Sequence, residues 1–189
     1  MSRHLVPALR LLLVFTLLIG GLYPLAVTLA AQLLFPDAAQ GSLLRRGEDI
    51  LGSDLLGQPF SSERYLWPRP SATAPAYDAS RSSGSNLGPL SAELASAIEV
   101  RAAALRAAHP ERTTKPPIEL VTSSGSGLDP HVSPQAACWQ AARIARARGL
   151  QEAEVLALVE RYTEGRALGW LGEPRVNVLR FNLALDAPR

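Results

Sequence analysis

The stretch LLLVFTLLIGGLYPLAVTLAAQLLF, Leu11 to Phe35, decides how the rest of the chain is read, because its twenty-five residues carry no charge and ten of them are leucine. It predicts a transmembrane helix. At about 1.5 Å of rise per residue such a helix is roughly 37 Å long, more than the ~30 Å hydrocarbon core, which implies tilt or a bend. Pro24, one turn after Gly20 and Gly21, supplies a place to bend. A cleaved secretory signal is the competing reading, since Arg3 and Arg10 form a basic leading region and Thr28-Leu29-Ala30 loosely fits a small-residue cleavage site. The apolar part of such a signal is typically about 7–15 residues, and this run overshoots it by about ten.

Basic residues orient the span. Arg3 and Arg10 precede it, and the first one after it is Arg45. The positive-inside bias then gives a cytoplasmic N-terminus (1–10), a single span (11–35) and a domain on the far side (36–189), which in a bacterium is the periplasmic face of the inner membrane. All 17 acidic residues lie after Pro36, with 17 of the 19 basic ones. That domain is therefore formally neutral and lacks the electrostatic footprint of a nucleic-acid binder. At about 150 residues it is large enough for one core. Cys138 is the only cysteine, so no internal disulfide forms, and a buried thiol beside Trp139 is expected.

The domain reads as α+β. From Asp37 to Gln58 a loop leads into one or two short strands. Prolines at 68, 70 and 75 forbid regular structure between Phe60 and Pro89, yet Tyr65, Trp67 and Tyr77 are too costly to leave exposed, so the segment is expected to be ordered and packed. Pro89 to Ala108 is a helix, begun by Pro89 or capped by Ser91, with Leu94, Ile98, Ala102 and Leu105 on its apolar stripe. Ile118 to Val121 reads as a short strand. Ser133-Pro134 opens a second helix that stops at Gly149, where Arg143, Arg146 and Arg148 complement the dipole and face solvent. A third helix runs from Gln151 to Tyr162, ended by Gly165. From Arg175 to Leu185, Leu179, Phe181, Leu183 and Leu185 alternate with Arg180, Asn182 and Ala184, the pattern of a half-buried strand.

Catalytic motifs are missing. Lys115, the only lysine, follows Thr114, so no Gly-Lys-Ser/Thr phosphate loop and no Asp-Lys-Thr phosphorylation site exists. Gly125-Ser126-Gly127 lacks the preceding glycine of a nucleophile elbow and reads as a turn. With one cysteine and dispersed histidines, no metal site is expected. An enzyme or binding module using Ser126, Asp129 and His131 remains the alternative from another class, although Asp129-Pro130 more simply starts a turn. In the span, Thr16 with Gly20 and Ala26 with Ala30 place small residues at fourfold spacing, and with Gly21 and Pro24 they form a candidate face for a neighbouring helix; a lipid-facing anchor is the alternative.

Several long motifs then carry a resemblance. They are Gly21-Leu22-Tyr23-Pro24-Leu25, Gly52-Ser53, Leu56-Gly57-Gln58, Trp67-Pro68-Arg69-Pro70-Ser71-Ala72, Gly84-Ser85-Asn86-Leu87, the run from Leu120 to Asp129, Ser133-Pro134-Gln135-Ala136-Ala137, and Glu173-Pro174-Arg175-Val176-Asn177-Val178-Leu179. In this order behind one N-terminal span, nearly the whole chain resembles the C subunits of bacterial Kdp potassium-transporting ATPases, the KdpC family. The resemblance implies a non-catalytic accessory subunit. Its partners would be a channel-like potassium-translocating subunit, an ATP-hydrolysing subunit and a small single-span peptide. It also implies a catalytic chaperone role that raises the pump subunit's affinity for ATP. No tightly bound cofactor is implied; ATP would be met through a ternary complex with the pump subunit, by a glutamine matching Gln140 or Gln135. The positive-inside reading puts both glutamines across the membrane from cytoplasmic ATP, which favours a structural and coupling role.

The orientation is checked by thiol labelling. With Cys138 replaced and one cysteine introduced near Gly84, a membrane-impermeant reagent should label intact, outer-membrane-permeabilised cells; labelling only after lysis would reverse the topology.

Overall fold

The computed structural model describes residues 2–187 and divides into two units, one running through Leu44 and the other from Arg45 onward. In the first, helix α1 (Ser2–Leu17) leads through a π-helical turn (Leu18–Leu22) into α2 (Tyr23–Leu34). Arg3 to Leu34 is long and apolar enough to cross a membrane, with a mean hydropathy of 2.2 over its most apolar window. The helix thus begins well before Leu11, since Arg3, His4 and Arg10 continue its polar end. Pro24 removes an N–H just where the backbone shifts to the wider π turn, so the expected bend takes the form of a change in hydrogen-bond register. A short helix α3 (Pro36–Ala39) follows.

A hairpin of β1 (Leu43–Arg46) and β2 (Asp49–Ser53) turns through Gly47-Glu48, with Gly47 at φ 64° as such two-residue turns require. The second unit continues with α4 (Ala92–Ala108), a 3₁₀ turn (Ile118–Leu120), β3 (His131–Val132), α5 (Pro134–Arg148), α6 (Glu152–Arg161), β4 (Thr163–Glu164), β5 (Arg175–Asn177) and α7 (Val178–Leu185). The strands form an antiparallel sheet in the order β3-β5-β4, with Val132 and Thr163 both opposite Val176. Helix α5 is central. Ala136, Ala137, Ala141, Ile144 and Ala145 are buried, and the same core contains Val155 and Val159 of α6, Val176 of β5, and Val178 and Phe181 of α7.

The sequence expectations for α4, α5 and α6 hold, with corrections at their ends. Ser91 caps α4, its hydroxyl accepting from the Leu94 N–H, and Pro89 lies outside the helix. Helix α6 ends at Arg161, before Gly165, with Tyr162 as its cap. Ile118–Leu120 is a 3₁₀ turn, because Pro116 and Pro117 precede a stretch too short to reach a ladder. The segment from Arg175 divides: the strand stops at Asn177, whose side chain accepts from the Arg180 N–H and starts α7. Val178, Phe181, Asn182 and Leu185 also share one face at helical spacing, so the alternation of period two was an incidental match to a helix. Cys138 is a free thiol and only half-buried.

Residues 54–90 hold no helix or strand, yet the middle of this segment is fixed. Leu66 is fully buried and Trp67 packs on the core. Gly57 donates to the Leu128 carbonyl (2.7 Å), and a Cβ there would fall 2.7 Å from the Asp129 oxygen, so only glycine permits the approach. Ser83 donates to Ser126 (2.9 Å), and the Ser71 hydroxyl donates to the Gly127 carbonyl (2.7 Å), tying the irregular segment to the glycine-rich loop.

Candidate functional site

The polar centre of the domain lies where α5 meets residues 62–67. Ser133 caps α5 by accepting from the Ala136 N–H (3.1 Å), and Gly149, at φ 67°, closes its other end. These ends set the face that α5 presents. Gln140 and Arg143, one turn apart, fall on the buried side among the alanines, and both are 0% exposed.

The Gln140 carboxamide pairs with the backbone of Trp67, its oxygen accepting from the N–H (2.9 Å) and its nitrogen donating to the carbonyl (3.1 Å). Asn182 of α7, also buried, treats the preceding residue the same way: its oxygen accepts from the Leu66 N–H (2.8 Å) and its nitrogen donates to the Leu66 carbonyl (3.0 Å). Two side-chain amides thus replace the ladder partners that a strand would have.

Arg143 completes the arrangement and corrects the expectation that it faces solvent. Its Nε donates to His109 Nε2 (2.9 Å), Nη2 to the Tyr65 carbonyl (2.9 Å) and to Gln140 Oε1 (2.8 Å), and Nη1 to the carbonyls of Glu63 and Ser62. The guanidinium lies 4.1 Å from the centre of the Trp67 ring. No carboxylate pairs with it among the described residues; all its donors are taken by neutral acceptors and one face by a π system. Burial lowers its pKa to about 10, partly opposed by Glu63, so it stays charged at neutral pH. His109, 1% exposed, donates from Nδ1 to the Leu105 carbonyl (2.7 Å), which leaves Nε2 as the acceptor Arg143 needs. Its ring sits against Trp139 and edge-on to Trp67.

At the rim, Arg148 donates to the Arg64 and Leu185 carbonyls and pairs with Asp186 (2.7 Å), which also accepts from the Tyr65 hydroxyl (2.8 Å). Of the three arginines grouped as dipole partners, only Arg146 is exposed, bound to Glu111 and the Ala108 carbonyl. Polar residues at helical spacing inside an alanine-rich apolar stripe were the signal that could have exposed this network.

The other candidates lie elsewhere. Gln135 is exposed on the first turn of α5, about 140° around the helix from Gln140. In the first unit, Thr16 ends α1, Gly20 and Gly21 lie in the π turn, and Pro24, Ala26 and Ala30 are in α2; a Cβ on either glycine would meet nothing within 4 Å. Ser126, Asp129 and His131 are engaged in turn geometry. Ser126 Oγ accepts from the Leu128 N–H (3.1 Å), and Asp129 accepts from the His131 N–H (3.0 Å) and from Arg69 (3.0 Å). Burial raises the Asp129 pKa, but the His131 and Arg69 bonds outweigh it and the net shift is downward, which suits a structural anion better than a base. Among the described residues no group of three or more His, Cys, Asp or Glu is placed to hold a metal ion.

A single apolar N-terminal helix followed by an α+β domain whose buried polar groups bind its own backbone is the class of protein these features define. A family model described as KdpC: K+-transporting ATPase, c chain, matches residues 5–187. Proteins named potassium-transporting ATPase KdpC subunit are 59% identical in Methylococcus capsulatus, 58% in Sorangium cellulosum and 56% in Methylibium petroleiphilum, each over 100% of both chains. The chain belongs to the KdpC family.

The network predicts an acid sensitivity. Burial lowers the His109 pKa from 6.5 to about 4; the Leu105 bond and Glu111 oppose the shift, and Arg143 and Arg146 add to it. Above pH 6.5 the ring is neutral folded and unfolded, and its share of stability is complete. As pH falls toward 4 the unfolded chain binds the proton first, so stability should drop by on the order of 3 kcal/mol and then level. Chemical unfolding of the full chain in detergent should show this loss, and His109→Gln should flatten it between pH 6.5 and 4.5, above the main carboxylate range. An unchanged profile in the variant would mean His109 does not set it.

Proposed function

We propose that the chain is the accessory, non-catalytic C subunit of an ATP-driven potassium uptake complex in a bacterial inner membrane, anchored by its N-terminal helix. The domain lies on the periplasmic side, where it holds the channel-like and ATP-hydrolysing subunits, with the small single-span peptide, in one assembly and couples them. Membership of the KdpC family supports the complex; Arg3 and Arg10 ahead of the span support the orientation. One observation carries the role: Gln140, the first candidate for touching ATP, is buried, with its oxygen and nitrogen bonded to Trp67 and Arg143. In this structure it fastens the domain and has no free face for a nucleotide.

The second reading, a chaperone that raises the pump subunit's ATP affinity by touching ATP in a ternary complex, falls to the exposed Gln135. Steady-state ATPase of intact complexes against ATP, at saturating potassium, separates the two. Gln140→Ala should leave the ATP KM unchanged and lower the complex's thermal stability, because it strands buried partners at a cost of about 1–3 kcal/mol. Gln135→Ala should change neither. A several-fold rise in KM with assembly intact, in either variant, would establish nucleotide contact and reject the coupling role.

A further inference from the structure

Between β4 and β5 the chain makes a loop whose tip is apolar and stands in solvent. Ala167 and Leu171 bridge each other, each N–H donating to the other's carbonyl (2.9 Å), and Arg166 pairs with Glu173 (2.7 Å) at the base. Within this closure Leu168 is 83% exposed, Trp170 69% and Leu171 51%. The other large apolar residues exposed on this unit, such as Leu90, Ile118 and Leu156, stand singly along the chain, as is ordinary for a protein surface. Three within four positions form a patch, and a patch of this kind marks a contact.

Among the described residues nothing repays this arrangement. Leu168 sits at φ 54°, in the left-handed region that glycine or asparagine occupies at less cost, and its side chain gains no burial there. The tip does have what is needed to leave water. The N–H groups of Ala167, Gly169, Trp170 and Leu171 all donate to carbonyls of the same turn, so little backbone would be stripped of water unpaired. The charges behind it are neutralised in pairs, Arg166 with Glu173 and Arg175 with Glu164. Tryptophan beside leucine is a composition suited to a membrane–water interface. A bilayer is also within reach: only residues 35–44 separate the apolar helix, which ends at Leu34, from the second unit, a connection of at most roughly 35 Å.

We infer that the tip from Leu168 to Leu171 inserts into the interfacial layer of the phospholipid bilayer that anchors the chain, as a second and peripheral membrane contact. Leu168 and Leu171 enter the boundary between headgroups and acyl chains, Trp170 lies at headgroup level, and the Arg166–Glu173 pair stays at the wet edge. Because the charges at the base cancel, the apolar side chains carry the contact and a zwitterionic lipid surface is sufficient. The inference rests on the proposed anchoring by the N-terminal helix, and adds a part of the domain that meets the same membrane.

The test is tryptophan emission from the full-length chain reconstituted in phosphatidylcholine vesicles, with and without lipid brominated on its acyl chains. The apolar helix contains no tryptophan, and Trp67 and Trp139 pack in or against the domain core, so quenching from the bilayer reports Trp170. Brominated lipid should quench the wild-type emission, and Trp170→Phe should lose most of that quenching. Leu168→Gly, which suits the left-handed backbone, should weaken the quenching without lowering the thermal unfolding midpoint. If the chain floats with the vesicles but its emission is quenched by aqueous iodide and not by brominated lipid, or if the quenching survives Trp170→Phe, the inference is overturned and the proposed function stands. Cross-linking in native membranes from a benzophenone side chain at position 168 to a polypeptide, in place of lipid, overturns it in favour of a protein partner. Failure of the unaltered chain to float with the vesicles overturns the anchoring, and with it both.

Discussion

Arg143 is a buried cation with no buried anion, and the second unit is built around satisfying it. Taking a guanidinium out of water costs several kcal/mol, which is tolerable only when every N–H is matched. Here the acceptors are the carbonyls of residues 62, 63 and 65, the Gln140 side chain and the neutral nitrogen of His109, with the Trp67 face alongside. The requirement runs in both directions. The chain between Phe60 and Pro70 has no ladder to hold it, and Arg143, Gln140 and Asn182 supply its bonds; those side chains in turn would be uncompensated in the core without that backbone. A neutral His109 is part of the same condition, since a protonated ring would lose the acceptor and face the guanidinium.

The two units hold their backbone by different means. In the second unit irregular backbone enters the core because side chains meet it. In the N-terminal helix a proline and two glycines coincide with a π-helical turn near the middle of the apolar stretch.

Legibility in the sequence followed the length over which a pattern acts. The apolar helix, the caps at Ser91, Ser133 and Gly149, and the face of α6 are local signals and were readable. That Tyr65, Trp67 and Tyr77 hold an irregular segment in order was also readable, from the cost of exposing them. Short elements were not: Arg175 to Leu185 satisfies periods of both two and 3.6, and only the Asn177 cap, seen in three dimensions, breaks the tie. The role of Arg143 was hidden because its partners are backbone carbonyls some 80 residues earlier, which leave no mark in residue identity. Gln140 was noticed for resemblance, and what it binds could not be inferred from its place on a helix.

Amide hydrogen exchange at Leu66 and Trp67 in the full-length chain tests the central claim most directly, since these amides lie outside any helix or sheet and are held only by Asn182 and Gln140. If the arginine-centred network makes this segment part of the core, both should exchange as slowly as the buried amides of α5, through global unfolding alone. Exchange as fast as in the exposed stretch around Leu90 would show that the segment opens independently, and the account of the domain as organised by Arg143 would fail.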